Sequence, residues 1–276
     1  MNQAHHAQHK TDTTMKLNII VLAKQVPDTR CVGQATMRAD GTIDREALPV
    51  IINPDDMKAL EQALRLKELH PESTIQVLTM GPSRAADVVR ESLFRGADGG
   101  YLLSDNAFRG ADTLATSYAL ATAIGKMGEY DIILCGRQAI DGETAQVGSQ
   151  VAERLGIPQV TYAEEILHVR EGHLTLKRHI DGGTEIVEAP LPLLVTVDSS
   201  AASCRPRHAK LLMTHKHTDI MAWNATDIKA DITQCGLEGS PTRVKDIETI
   251  VPTKKESRVI GSSDEEIENM MVELFG

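Results

Sequence analysis

The stretch Asp131–Gly148, DIILCGRQAIDGETAQVG, gathers the side chains that could do chemistry into one loop: Arg137, Gln138, Asp141, Thr144 and Gln146, punctuated by Gly136, Gly142 and Gly148. An apolar run, Ile132 to Leu134, leads into it, and Val147, Val151 and Leu155 follow at helical spacing. The pattern is that of a buried parallel strand, a polar loop and a helix, with Thr144 expected as the helix cap. The first-turn amides of such a helix have no partner within it and welcome an anion, the chemistry of a nucleotide phosphate. Neither a Walker A sequence nor a full GxGxxG fingerprint is present, so the stretch alone is also compatible with an ordinary strand–loop–helix connection.

Individual side chains carry two readings each. Asp141, just before Gly142, could accept from ribose hydroxyls or serve as a turn residue. Lys24 and Arg137 could neutralise phosphates or be solvated surface charges. Cys135 reads as a small hydrophobe without a redox role. His215-Lys216-His217 and His5-His6 lack a carboxylate or cysteine at metal spacing, so no metal site is expected.

The elements that would position this loop follow from apolar periodicity. Leu17–Ala23 is a buried strand stopped by Pro27. Asn53-Pro54 opens a helix, with Asn53 expected to cap it and Met57, Leu60 and Leu64 inward; it ends near His70-Pro71. Thr74–Met80 is a strand, followed by a helix from Pro82-Ser83 to about Arg95; Tyr101–Leu103 is a third strand, and Asp112-Thr113 opens a further helix. Strand–helix alternation with short connections implies a mostly parallel Rossmann-like α/β sheet flanked by helices, with ligands beyond the strand carboxyl ends. The loops after Ala23, Met80 and Cys135 are thereby expected at one crevice.

After Pro158 the pattern becomes antiparallel: Ala163–Val169, Gly172–Arg178 and Gly183–Val187, with turns at Glu171-Gly172 and Asp181–Gly183, precede the aliphatic strand Leu193–Val197. Beyond Asp198 apolar periodicity fades, apart from a helix candidate at Asp264–Phe275, so the tail is expected to pack on a partner chain rather than on itself. A turn is expected at Asp40-Gly41.

Composition narrows the classes. The chain has 276 residues, 41% of them hydrophobic, enough for one large core. A net charge of −10 argues against a nucleic-acid surface, and 3% aromatic residues against base-stacking platforms and membrane belts. Four widely spaced cysteines without a CxxC pair read as reduced thiols. With no apolar run of membrane-spanning length, a cytoplasmic protein is expected. Residues 1–14 are polar and His-bearing, read as a disordered extension, and Met15 is the more natural start.

In one order along the chain stand LAKQVPDT at 22–29, INPDD at 52–56, GRQAIDGETAQVG at 136–148 and RPRHAKLL at 205–212. Together they resemble the beta subunit of electron-transferring flavoprotein over roughly residues 15–220. The resemblance implies an α/β domain that pairs with an alpha subunit carrying a redox flavin, and a beta-subunit crevice holding AMP in simple carriers or FAD in electron-bifurcating members. Lys24–Thr29, Gly110–Thr113 and the extension with Ser240–Val244 are similar to the bifurcating branch.

Carried over residue by residue, the resemblance implies nucleotide contacts at Leu22, Ala23, Lys24 and Gln25, at Asn53 and Asp56, at Met80, and in the main loop at Arg137, Gln138, Asp141, Gly142, Thr144, Ala145, Gln146, Val147 and Gly148. Asp112 and Thr113 would meet the additional part of FAD. Simple carriers of the human type have Asn where this chain has Ala145 and Thr where it has Val147, so any grip there must come from backbone amides. Leu211 matches an exposed apolar anchor for an acyl-CoA dehydrogenase-type partner. The implied function is FAD-based: hydride from NADH, with electrons sent to ferredoxin or flavodoxin and, through the alpha-subunit FAD, to the dehydrogenase. No side chain of this chain is needed as acid, base or nucleophile. The alternatives are a simple carrier with structural AMP and a non-redox adenine-nucleotide-binding protein. On this reading residues 15–205 form the nucleotide domain, and 206–276 form the dehydrogenase-recognition segment and an arm for the alpha subunit.

Overall fold

The computed structural model describes residues 15–28, 30, 48–242 and 259–275. The expected disorder of 1–14, the turn at Asp40-Gly41, Thr29, Cys31 and Arg243-Val244 lie outside them.

Four aliphatic strands make the centre of one sheet. These are β1 (Asn18–Leu22), β4 (Thr74–Met80), β6 (Ile132–Gly136) and β10 (Leu193–Val197), each paired in parallel with its neighbour. Their alternate side chains go to opposite faces, as strand pleating requires. Ile19, Val21, Val77, Leu134 and Val195 pack on α1 (Pro54–Leu69) and α2 (Ala86–Leu93). Ile20, Leu22, Leu78, Ile133 and Leu194 pack on α3 (Thr113–Met127) and α4 (Val147–Leu155). Apolar runs without alternation are thus strands covered on both sides.

Two further parallel strands, β5 (Gly99–Leu103) and β11 (Met221–Trp223), extend one edge. The other edge carries β7 (Gln159–Arg170), β8 (His173–Ile180) and β9 (Gly183–Pro190). β7 runs parallel to β10 and antiparallel to β8, so it joins the parallel core to the antiparallel extension. The order is β11-β5-β4-β1-β6-β10-β7-β8-β9, and the expected α/β class is observed. The order reverses direction between β1 and β6, the position where a doubly wound sheet opens a crevice. A small antiparallel pair, β2 (Gln25–Pro27) with β3 (Val50–Ile52), follows β1.

The structure corrects two expected caps. Asn53 and Gln146 occupy the positions before α1 and α4, and neither side chain caps its helix; α4 begins at Val147, three residues after Thr144. Asp112, by contrast, caps α3 by accepting from the amides of Leu114 and Ala115.

The tail is the larger correction. Its segment 221–242 packs on the body of the same chain: β11 adds to the sheet, Trp223 stacks on Tyr101 with ring centroids 4.0 Å apart, and Cys235 and Ser240 are buried. The apolar residues are too sparse to show helical or strand periodicity, yet a few large ones at the sheet edge suffice to bury it. Before it, α5 (Ala209–His215) lies against α2; after it, α6 (Asp264–Phe275) has no buried residue. Replacing Trp223 by Ala should therefore destabilise the whole domain by about 3 kcal/mol, read from urea unfolding. A loss within 0.5 kcal/mol, on the order of an exposed surface substitution, would contradict this packing.

Candidate functional site

At the reversal, the ends of β1 and β6 meet the first turn of α1. Asp56, the third residue of that helix, is buried, and its carboxylate accepts from the amide of Lys24 at 2.8 Å and from the amide of Gly136 at 2.8 Å. One side chain thus holds both strand ends. Gly136 is needed for the approach, because a Cβ there would stand 2.6 Å from the Asp55 Cβ and from Asp56 Oδ1. Burial pushes the Asp56 pKa up to about 7, against the hydrogen bonds from the Lys24 and Gly136 amides that hold it down.

Asn53 reaches the other way. Its side-chain amide donates to Gln138 O at 2.8 Å and accepts from the Ile140 amide at 3.1 Å, so it ties the main loop to α1 instead of capping the helix. The loop then turns at Ala139–Glu143, where the amides of Gly142 and Glu143 bond to Ala139 O. Glu143 and Ala145 are in the left-handed region at φ 49° and 53°, a conformation that costs non-glycine residues about 1 kcal/mol each. It leads into the uncapped start of α4: among the described residues, no backbone N–H from Thr144 to Ser149 has an acceptor. Gly148 lies tight beneath, since a Cβ there would be 2.8 Å from Thr196 Cγ2 and 2.9 Å from Cys135 Sγ.

These elements enclose a cavity of about 510 Å³ at the carboxyl ends of the strands, on the α3/α4 face. Of the expected contacts, Leu22, Ala23, Lys24, Asp56, Met80, Asp112, Thr113, Arg137, Gln138, Gly142 and Thr144–Gly148 all line it. Three do not. Gln25 belongs to β2, whose antiparallel pairing with β3 takes it toward α2, and its side chain donates to Arg84 O at 3.1 Å. Asn53 is behind the loop it holds. Asp141 lies outside the lining and accepts two 2.8 Å hydrogen bonds from Lys24 Nζ across the mouth. Arg137 is near Asp198 at 3.7 Å, with its Nε buried and lacking a partner among the described residues.

The sequence reading missed Leu78, Phe108, Thr116, Leu120 and Thr242, and gave no site role to Cys135 or Gly136; Ala139 and Glu143, within the loop Gln138–Gly148 that it expected at the site, also line the cavity. Leu78 was detectable, since it shares a strand face with Met80; Thr242 has no local signal. Burial pushes the Cys135 thiol far above its ordinary range, which keeps it neutral. Asp112 differs from Asp56. Burial raises it, but the amides of Ala115, Thr242 and Leu114 together outweigh that and hold its carboxylate below the usual range. Leu211 is half-buried rather than exposed, because α5 rests on α2; the exposed large side chain of that helix is Met213, at 81%.

A doubly wound sheet with a cavity at its reversal point and acceptor-free amides at a helix start defines a nucleotide-binding α/β protein. The electron transfer flavoprotein domain matches residues 40–228, and the chain belongs to that family. It is 42% identical to the electron transfer flavoprotein subunit beta of Thermoanaerobacterium thermosaccharolyticum, over 94% of this chain and 98% of the relative. It is 46% identical to the caffeyl-CoA reductase-Etf complex subunit CarD of Acetobacterium woodii, over 83% and 86%. The acryloyl-CoA reductase electron transfer subunit gamma of Anaerotignum propionicum is 41% identical over 94% and 98%. Among the described residues no helix is long and apolar enough to cross a membrane.

The Asp56 brace makes a pH prediction. Its folded-state pKa of about 7 is above the ordinary 3.8, so ionising it costs the folded state. That cost is absent below about pH 4, grows as pH rises, and is complete above about pH 7. Wild type should therefore lose stability relative to Asp56→Asn between those limits and run parallel to it above them. Urea midpoints of both proteins across the range check this; a difference independent of pH would contradict it.

Proposed function

We propose that this chain is the beta subunit of a heterodimeric, electron-bifurcating electron transfer flavoprotein and that its cavity holds FAD. The observation that carries the reading is the loop Thr144–Gly148: it lines the cavity while its amides have no acceptor among the described residues, and side chains that could replace them, at Ala145 and Val147, are apolar. Such a run of amides at a helix start suits a diphosphate.

The cavity is lined on its α3 side by Gly110–Thr113 and Thr116 and by Thr242 of the tail, which supports a dinucleotide over AMP. When bound, FAD would supply the acceptor for hydride from NADH, with electrons leaving to ferredoxin or flavodoxin and, through an alpha-subunit FAD, to a dehydrogenase. The chain's own part is to bind, orient and shield. Asp56 and Asn53 set the loop, Gly148 lets α4 approach the sheet, and Leu22, Leu78 and Leu120 exclude water from the floor.

The partners fit the same reading. Two relatives are named as subunits of caffeyl-CoA and acryloyl-CoA reductase systems, which supports an acyl-CoA dehydrogenase-type acceptor. Helix α5 would face it, with Leu211 as anchor beside the exposed Met213. The unburied α6 presents Ile267, Met270, Met271 and Leu274 at i, i+3, i+4 and i+7, an apolar stripe suited to the alpha subunit.

Co-expression with the alpha subunit should yield a complex with two FAD per heterodimer; one FAD with one AMP would sink the bifurcating assignment. Leu211→Ala should slow electron delivery to the dehydrogenase by about tenfold, a typical cost of truncating one apolar interface side chain, and leave flavin reduction by NADH unchanged. Equal loss of both rates would remove its anchor role.

A further inference from the structure

The two arginines of Arg205-Pro206-Arg207-His208 are spent on the chain's own helices. Helix α5, which this run introduces, has seven residues and none buried, so it cannot fix its own position. The residues before it do. The amide and Nε of Arg205 donate to Glu61 Oε2, each at 3.0 Å, and its Nη2 donates to Glu61 Oε1 at 3.0 Å. Glu61 is buried in the middle of α1 and also accepts from Arg65 Nε at 3.1 Å. Two residues on, Arg207 Nε donates to Glu91 Oε2 at 2.8 Å, and the His208 amide donates to Phe94 O at 2.8 Å, at the end of α2. Pro206, between the two arginines, restricts the backbone further. Burial raises the Glu61 carboxyl, but hydrogen bonds from Arg205 and Arg65 outweigh it and hold it below its usual range.

We propose that Glu61 is a positioning residue for electron delivery: by holding Arg205 it fixes the line along which α5 leaves the body, and so where Leu211 and Met213 meet the dehydrogenase. The inference rests on the docking role given to α5 above and adds what sets its direction. Three bonds from one buried carboxylate to the backbone and side chain of a single residue define orientation as well as distance, which a lone ion pair does not. The grip at Glu91 is looser, because Glu91 is shared with Arg95 and the Arg207 side chain is 53% exposed, where an ion pair contributes little. Glu61 therefore carries the constraint. A helix held in place before contact loses less freedom on docking, so the pair favours association without touching the partner. The helix that presents Asp56 to the strand ends presents Glu61 to the docking segment, and α1 is the common frame of both.

The test uses the heterodimer with its alpha subunit and the dehydrogenase that it reduces. Glu61→Gln keeps the shape of the side chain and removes its charge. It should raise the apparent KM for the dehydrogenase about fivefold, the effect of one lost hydrogen bond, and leave kcat and flavin reduction by NADH within about twofold. Arg205→Lys, which leaves the buried carboxylate in place and loses only the fork, should show the same split at about threefold and serves if Glu61→Gln does not fold. In a Leu211→Ala background Glu61→Gln should add less than about twofold, since a helix without its anchor gains little from direction. A KM unchanged in both variants, a full fivefold added to Leu211→Ala, or a parallel fall in NADH reduction would overturn the positioning role while docking through α5 stands. Leu211→Ala without effect on delivery would overturn this inference and the docking role together.

Discussion

Two neighbouring parallel strands, β1 and β6, end against one carboxylate. Asp56 accepts from the amide of Lys24, just past β1, and from that of Gly136, the last residue of β6, at the point where the sheet's connections diverge. Strand amides leaving a sheet need acceptors, and a buried carboxylate needs donors; each satisfies the other. The cavity depends on this exchange. It sets the spacing of the two strand ends, requires glycine at 136, and leaves Asn53 free to hold the loop that follows. Burial opposes it by favouring the protonated acid, so the brace is held in balance near neutrality rather than permanently charged.

The two helices that open on the cavity are treated in opposite ways. α3 begins under the Asp112 carboxylate, which consumes its first free amides, whereas α4 begins with none of its amides satisfied among the described residues. The helix dipole and the unpaired N–H groups therefore favour an anion at one end only. Nearby cations do not alter this asymmetry, because Lys24 is paired with Asp141 and Arg137 is near Asp198. The Lys24–Asp141 pair is partly exposed and thus weak, so it can exchange for a ligand contact at little cost.

The tail divides by what it can bury. Trp223, Ala225, Ile228 and Cys235 find apolar neighbours at the β5 edge and under α3, and that segment becomes part of the domain. α6 has a similar number of apolar residues on one stripe, but among the described residues none covers them. One chain thereby offers a closed nucleotide domain and an open helix whose apolar stripe is available to a partner.

Periodicity and composition determined the sheet, the two helical layers and the carboxyl-end crevice, because runs such as Ile132–Leu134 and stripes such as Leu60–Leu64 report burial directly. The motif around Gly136–Gly148 identified the family and most of the lining. What the linear order does not contain is the direction of individual polar groups. Asn53 looks like a helix cap and instead bonds 85 residues away to Gln138; Asp141 looks like a ribose acceptor and pairs with Lys24, 117 residues away; Thr242 meets Asp112 across 130. Such partners are chosen by where strand ends and loops converge, and hydrogen bonds, unlike burial, leave no periodic trace in the sequence. Tertiary structure decided them because only the assembled sheet brings donors and acceptors so distant in the chain within 3 Å or so of one another.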